Sequence, residues 1–216
     1  RAAHVDAAKV RERRARLEAA HAKLIDGYKS AEAAARSKRP IDPIWLCAAL
    51  AETLPGDTIF VEETTTHRGV VQKHLSWNEP GRYYKVPSGL GQGLGVALGV
   101  KLANPKRPVV SLIGDGAFLY NPVPQSIGLS MEANLPILIV VFNNVGYQAM
   151  KNNQLEYYPD GTGKQHEIYP GMPIKGPDYG ELAKPFGGWG RKVEDPAELP
   201  SAIRDGLAAV ERGQVA

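Results

Sequence analysis

Two short, almost unbroken apolar runs stand out in the middle of the chain, Pro108-Val109-Val110-Ser111-Leu112-Ile113 and Pro136-Ile137-Leu138-Ile139-Val140-Val141-Phe142. Runs of this length, rich in β-branched residues and apolar at every position, predict strands buried on both faces, as in a parallel sheet. The first ends in Gly114-Asp115-Gly116 and the second in Asn143-Asn144, with a helical stretch from Gln125 to Ala133 between them. Strand, helix and strand in this order predict a right-handed crossover, which sets both polar strand ends on one edge of the sheet. Ligands bind at that edge in open α/β sheets, where the strand order reverses.

An earlier run, Thr58 to Glu62, predicts a further strand that leads into Glu63-Thr64-Thr65-Thr66. A glycine-rich loop, Ser88 to Gly95, precedes a helix over Val96 to Leu102. Ile44 to Glu52 and Tyr147 to Tyr158 also read as helices. Asp178 to Phe186 and Ala197 to Arg212 predict two more, flanking a short strand from Trp189 to Val193. The expected class is α/β, an open parallel sheet with helices on both faces, preceded by an α-helical linker. The expected division is 1–40 as a helical linker or arm and 41–216 as the sheet domain.

Charge separates the two parts. The first forty residues carry eleven Lys and Arg against five Asp and Glu, so a chain of net charge +3 has its excess positive charge in the arm. Val10, Leu17, Leu24 and Tyr28 recur there near helical spacing, which predicts one or two solvated amphipathic helices. Acidic residues interrupt the basic ones and the only aromatic among them is Tyr28, which argues against a nucleic-acid surface. A single cysteine, Cys47, excludes an intrachain disulfide and suits a reducing compartment, so cytoplasm is the expected location. No run of about 18 apolar residues predicts a membrane span. Val215-Ala216 reads as the start of a strand, so the chain is expected to be one piece of a longer one.

The chemistry concentrates at the two strand ends. Magnesium takes six oxygens and is commonly held by one or two carboxylates together with phosphate oxygens. Asp115 offers a carboxylate, Asn144 a side-chain carbonyl, and Gly146 a backbone carbonyl that no side chain crowds. Gly114 and Gly116 leave room for backbone N–H groups to approach a phosphate, and a helix start follows. A GDG triplet alone is often only a turn after a strand. The Asn pair and the glycine loop together give it more weight. The loop spacing, with glycines at Gly89, Gly91, Gly93 and Gly95, does not fit the dinucleotide fingerprint, and Tyr158 stands where a P-loop needs glycine.

This GDG-to-NN arrangement resembles the signature of thiamine-diphosphate-dependent enzymes, in their C-terminal diphosphate-binding domain. The stretch from Trp77 to Tyr84 and the run from Ser88 to Gly116 are most similar to the acetolactate synthase and benzoylformate decarboxylase group. The resemblance implies diphosphate contacts from Thr65, Thr66, Gly114, Gly116 and Ala117. It implies that Ser88 and Gly89 border the cofactor's aminopyrimidine, the Ser88 carbonyl accepting from the 4′-amino group. Leu90 stands where the family keeps an apolar wedge between the two rings. Magnesium would sit on Asp115, Asn144 and Gly146.

The implied activity is decarboxylation of a 2-oxo acid or carboligation, in a homodimer or tetramer. Two departures accompany the match. The spacing between Asp115 and Asn144 is about two residues longer than expected, with Asn121 to Pro124 as a loop insertion. The glutamate that activates the pyrimidine ring belongs to a separate pyrimidine-binding domain in this family, and neither Glu62 nor Glu63 corresponds to it. A noncatalytic cofactor-binding or assembly subunit is the alternative, and the basic arm as a partner-docking segment a third reading. His67 borders the phosphate site or is simply exposed. Pro159 to Lys164 is expected to be a mobile segment that closes over substrate.

Overall fold

A computed structural model describes residues 6–77, 79–87 and 89–216. A single long helix, α1 (Ala7–Ala35), opens the chain, started by the Asp6 side chain, which accepts from the Ala8 and Lys9 amides. Every side chain from position 11 to 24 is exposed. Its last turns dock: Ala35 is buried, the Tyr28 and His74 rings lie 5.3 Å apart, and the Arg36 guanidinium sits 4.0 Å over the Trp45 ring. α2 (Pro43–Thr53) follows, with Asp42 as its N-cap and proline in its first turn, where the missing N–H has no helical partner to lose.

Four parallel strands form the sheet: β1 (Ile59–Glu63), β2 (Tyr83–Lys85), β3 (Val109–Gly114) and β4 (Leu138–Phe142), in the order β2-β1-β3-β4. α3 (Arg68–His74) carries the chain from β1 outward to β2, and α4 (Gly93–Ala103) brings it back past β1 to β3. The direction of winding therefore reverses between β1 and β3, and their carboxyl ends flank the crevice where such sheets bind ligands. Two apolar clusters cover the sheet. Phe60, Val110, Leu112 and Leu138 pack with α2 and with α9 (Leu199–Glu211) on one face, while Ile59, Val61, Val109 and Ile113 pack with Leu94, Leu98, Phe118 and Ile127 on the other. The α/β parallel architecture expected from the apolar runs is thus present.

The differences have local causes. β2, α3 and α5 (Asp115–Tyr120) arise in stretches with no period long enough to read. α6 (Val123–Glu132) starts inside the expected insertion, because Pro124 suits a first helical turn. Asp178 to Phe186 forms two 3₁₀ turns, Tyr179–Glu181 and Lys184–Phe186, rather than a helix, and the second ends at Gly187 with φ +79°. Trp189 to Val193 is not a strand; the Trp189 amide bonds the Val215 carbonyl instead. The Ile139 amide donates to Ala216 and the Ala216 amide to Ile137, which lays the final residues alongside β4. α7 (Gln148–Tyr157) matches expectation, and the segment expected to be mobile contains a short helix, α8 (Thr162–Gln165). None of the described helices is long and apolar enough to cross a membrane.

Candidate active site

Asp115 is the first residue of α5, directly after β3, and is 3% exposed. Its Oδ1 accepts the Gly116 amide at 2.9 Å and its Oδ2 accepts the Gly146 amide at 3.0 Å. The second bond ties the end of β3 to the loop after β4, so two of the three expected metal ligands are adjacent. Asn144 lies exposed on that loop, between Asn143, whose Oδ1 accepts the Val145 amide, and Val145 itself, at φ +59°. A left-handed valine is strained, and such positions persist only where surrounding contacts enforce them. Here the Tyr147 amide donates to Met172, the Ile174 amide donates to Val145, and Gly146 bridges Pro173.

No three His, Cys, Asp or Glu gather into a metal cluster among the described residues. The donors at this edge are instead one carboxylate with lone pairs to spare, one exposed amide oxygen and backbone carbonyls. That set suits a hard cation shared with phosphate oxygens rather than a transition metal. The glycines differ in purpose. A Cβ on Gly114 would meet only the Thr64 carbonyl at 3.9 Å, so this backbone is open to approach. On Gly116 it would strike the Tyr147 ring at 2.6 Å, and the Gly116 amide is already engaged by Asp115, so this glycine is required by packing. Ala117 is buried within α5.

Across the crevice, Thr65 and Thr66 are exposed just beyond β1, with Thr65 at φ +39°. The turn is set by Glu62, fully buried, whose Oε1 accepts both the amide and the hydroxyl of Thr64 at 2.6 Å. Its Oε2 accepts Arg68 Nε at 2.8 Å and the Tyr83 hydroxyl at 2.9 Å. Burial raises the Glu62 carboxyl, but the bonds from Thr64, Arg68 and Tyr83 outweigh it and hold the pKa below its ordinary value. Burial and this carboxylate push the Tyr83 phenol up to about 12. The His67 ring stacks on Phe142 at 5.4 Å, spanning the ends of β1 and β4. Burial lowers its pKa, while the Asp115 carboxylate acts in the opposite sense. Gly89 and Leu90 border the same edge, with Leu90 45% exposed; Ser88 lies outside the described residues.

The sequence assigns no role to Glu62 and Glu63 beyond their not being the activating glutamate, and places Asn121 in a loop insertion. All three are buried organisers of this edge. The available signal was a pair of carboxylates closing an otherwise apolar strand, since buried charges persist only when fully bonded.

Residues 63–215 match the family model described as thiamine pyrophosphate enzyme, C-terminal TPP binding domain. The chain belongs to this family. It is 29% identical over 173 residues to benzoylformate decarboxylase of Pseudomonas aeruginosa, covering 79% of this chain and 31% of that protein. It is 30% identical over 175 residues to the acetolactate synthase isozyme 3 large subunit of Escherichia coli, covering 77% and 29%. The solved thiamine diphosphate-dependent 4-hydroxybenzoylformate decarboxylase of Rhodococcus jostii superposes with a TM-score of 0.71 at 30% identity, over 80% of this chain and 31% of that one. The chain thus spans about a third of the length of these relatives.

Proposed function

We propose that this chain supplies the diphosphate- and magnesium-binding half of the active site in a thiamine-diphosphate-dependent enzyme acting on 2-oxo acids, as a decarboxylase or a carboligase. The observation that carries the reading is the Asp115 carboxylate bonded to the Gly146 amide at 3.0 Å, which joins the end of β3, beside the crevice between β1 and β3, to the loop after β4. Asp115, Asn144 and the Gly146 carbonyl would hold the metal, and Thr65, Thr66 and the Gly114 backbone would face the diphosphate. Gly89 and Leu90 would border the rings, with Leu90 as the wedge and Ser88 beside them. Thiamine diphosphate, when bound, supplies the nucleophilic carbon; the protein supplies binding, orientation and exclusion of water. On this reading 41–216 is the cofactor domain, 1–40 an arm leading into it, and the remaining half of the site comes from a pyrimidine-binding domain in a homo-oligomer.

Thiamine diphosphate affinity of the native assembly is expected to fall at least about tenfold on Asp115→Ala, and similarly on chelation of magnesium. Unchanged affinity in both would sink the metal assignment and favour an assembly role. Product analysis across aliphatic and aromatic 2-oxo acids then separates the reactions: aldehyde marks a decarboxylase, acyloin or acetohydroxy acid a carboligase.

A further inference from the structure

Glu63 is 4% exposed and, among the described residues, receives four N–H donors. Its Oε1 accepts the Gly91 amide at 2.9 Å and the Gln92 amide at 3.1 Å. Its Oε2 accepts the Gly93 amide at 2.9 Å and Asn121 Nδ2 at 3.0 Å. Asn121, 7% exposed, also donates to the Ala117 carbonyl at 2.8 Å, and its Oδ1 accepts the Leu94 amide at 3.0 Å. Two side chains therefore bind four successive backbone amides, positions 91 to 94, and fasten them to α5, the helix that begins at Asp115.

The fit leaves no slack. A Cβ on Gly93 would lie 2.6 Å from Glu63 Oε2, and one on Gly91 would lie 2.5 Å from the Tyr120 carbonyl. Only a carboxylate serves here, because a glutamine in its place presents one acceptor oxygen and turns an N–H₂ toward other donors. Asn121 is likewise specific, acting as donor to Glu63 and acceptor from Leu94 at once.

We propose that Glu63 and Asn121 are positioning residues that set the Gly89–Gln92 loop at a fixed distance from the Asp115 end of the site. The proposal rests on the cofactor reading above, in which the loop borders the cofactor rings and Asp115 anchors the diphosphate. The pair then determines how the rings sit relative to the phosphate anchor, without touching the cofactor. Loosening it selectively weakens binding of the ring portion and leaves the diphosphate grip intact.

The test compares two probes, thiamine diphosphate and inorganic diphosphate, each with magnesium, on the intact enzyme stripped of cofactor. Asn121→Ala is expected to weaken thiamine diphosphate about tenfold, the size of a lost buried hydrogen bond, with inorganic diphosphate within about twofold of wild type. Asn121→Asp keeps an acceptor for Leu94, removes the donor to Glu63 and to the Ala117 carbonyl, and sets a second carboxylate against Glu63, so it is expected to show the same split at least as strongly. Equal losses for both probes, no loss for either, or unfolding of both variants would reduce the pair to a structural role and overturn the proposal.

Hydrogen exchange in the cofactor-free wild type reads the same contacts directly. Amides 91 to 94 are expected to exchange slowly and those of Gly89 and Leu90 fast; equally fast exchange at all six means the contacts do not hold. A wild type that binds no thiamine diphosphate defeats the cofactor reading instead, whatever the exchange pattern.

Discussion

At the scale of single residues, the site edge is built from close contacts that admit no additional atoms. Gly91 sits at φ +100° with its missing Cβ 2.5 Å from the Tyr120 carbonyl, a backbone atom with little freedom to retreat. Gly91→Ala combines backbone strain with overpacking and is expected to cost about 2 kcal/mol or more. In a domain of this size that is a fall in melting temperature of roughly 4–8 °C, read by calorimetry.

Glu62 gives a pH signature. Its folded pKa lies below the ordinary glutamate value of 4.5, so the stability it contributes is fully present above about pH 4.5 and is lost as pH falls through the folded pKa. Denaturant midpoints are expected to decline on acidification below 4.5 in the wild type and to decline less in Glu62→Gln. That variant starts lower at neutral pH by about 1–3 kcal/mol, because a buried bond network is left incomplete. An identical acid slope in both proteins would remove Glu62 from the account.

Legibility also differs residue by residue. That Asp115 and Gly146 meet is legible because each follows a buried strand whose end lies on the same edge of the sheet. The hydrogen bonds that tie Glu63 and Asn121 to each other and to the glycine loop span 27 to 58 residues of sequence and leave no periodic trace.

At the scale of elements, strands buried on both faces were legible because every position must be apolar, whereas β2, exposed at two of its three residues, was not. The short helices α3 and α5 escaped for a related reason: at seven and six residues, each is under two turns long and too short for a 3.6-residue period to show. The amphipathic spacing read in the arm is realised as one helix, α1, but only its C-terminal part meets the rest of the molecule. There Glu32 pairs with His74 Nδ1 at 2.6 Å and Arg36 pairs with Glu52 at 2.6 Å. The side chains of α1 from position 11 to 22 are exposed, so deleting residues up to 22 removes little packing among the described residues. The melting temperature is therefore expected to shift by less than about 2 °C, whereas Arg36→Ala, which removes an ion pair and a cation–π contact together, lowers stability by about 1 kcal/mol. A large loss from the deletion would mean that the exposed turns are covered in the native assembly.

At the scale of the whole molecule, the parallel sheet delivers one edge of polar groups and the arrangement asks for a second surface opposite it. We infer that the chain alone is catalytically incomplete. The two carboxylates that close β1 are committed: Glu62 to Thr64, Arg68 and Tyr83, and Glu63 to the glycine loop and Asn121. Neither is free to face a pyrimidine ring, and the relatives are about two and a half times as long as this chain. The isolated chain is therefore expected to bind magnesium with inorganic diphosphate and yet release no carbon dioxide from any 2-oxo acid. Supplying the pyrimidine-binding domain of the same protein in trans is expected to restore release. Turnover by the isolated chain would place the activating carboxylate among its own residues and overturn the division of the site between two domains, while leaving the Asp115 anchor untouched.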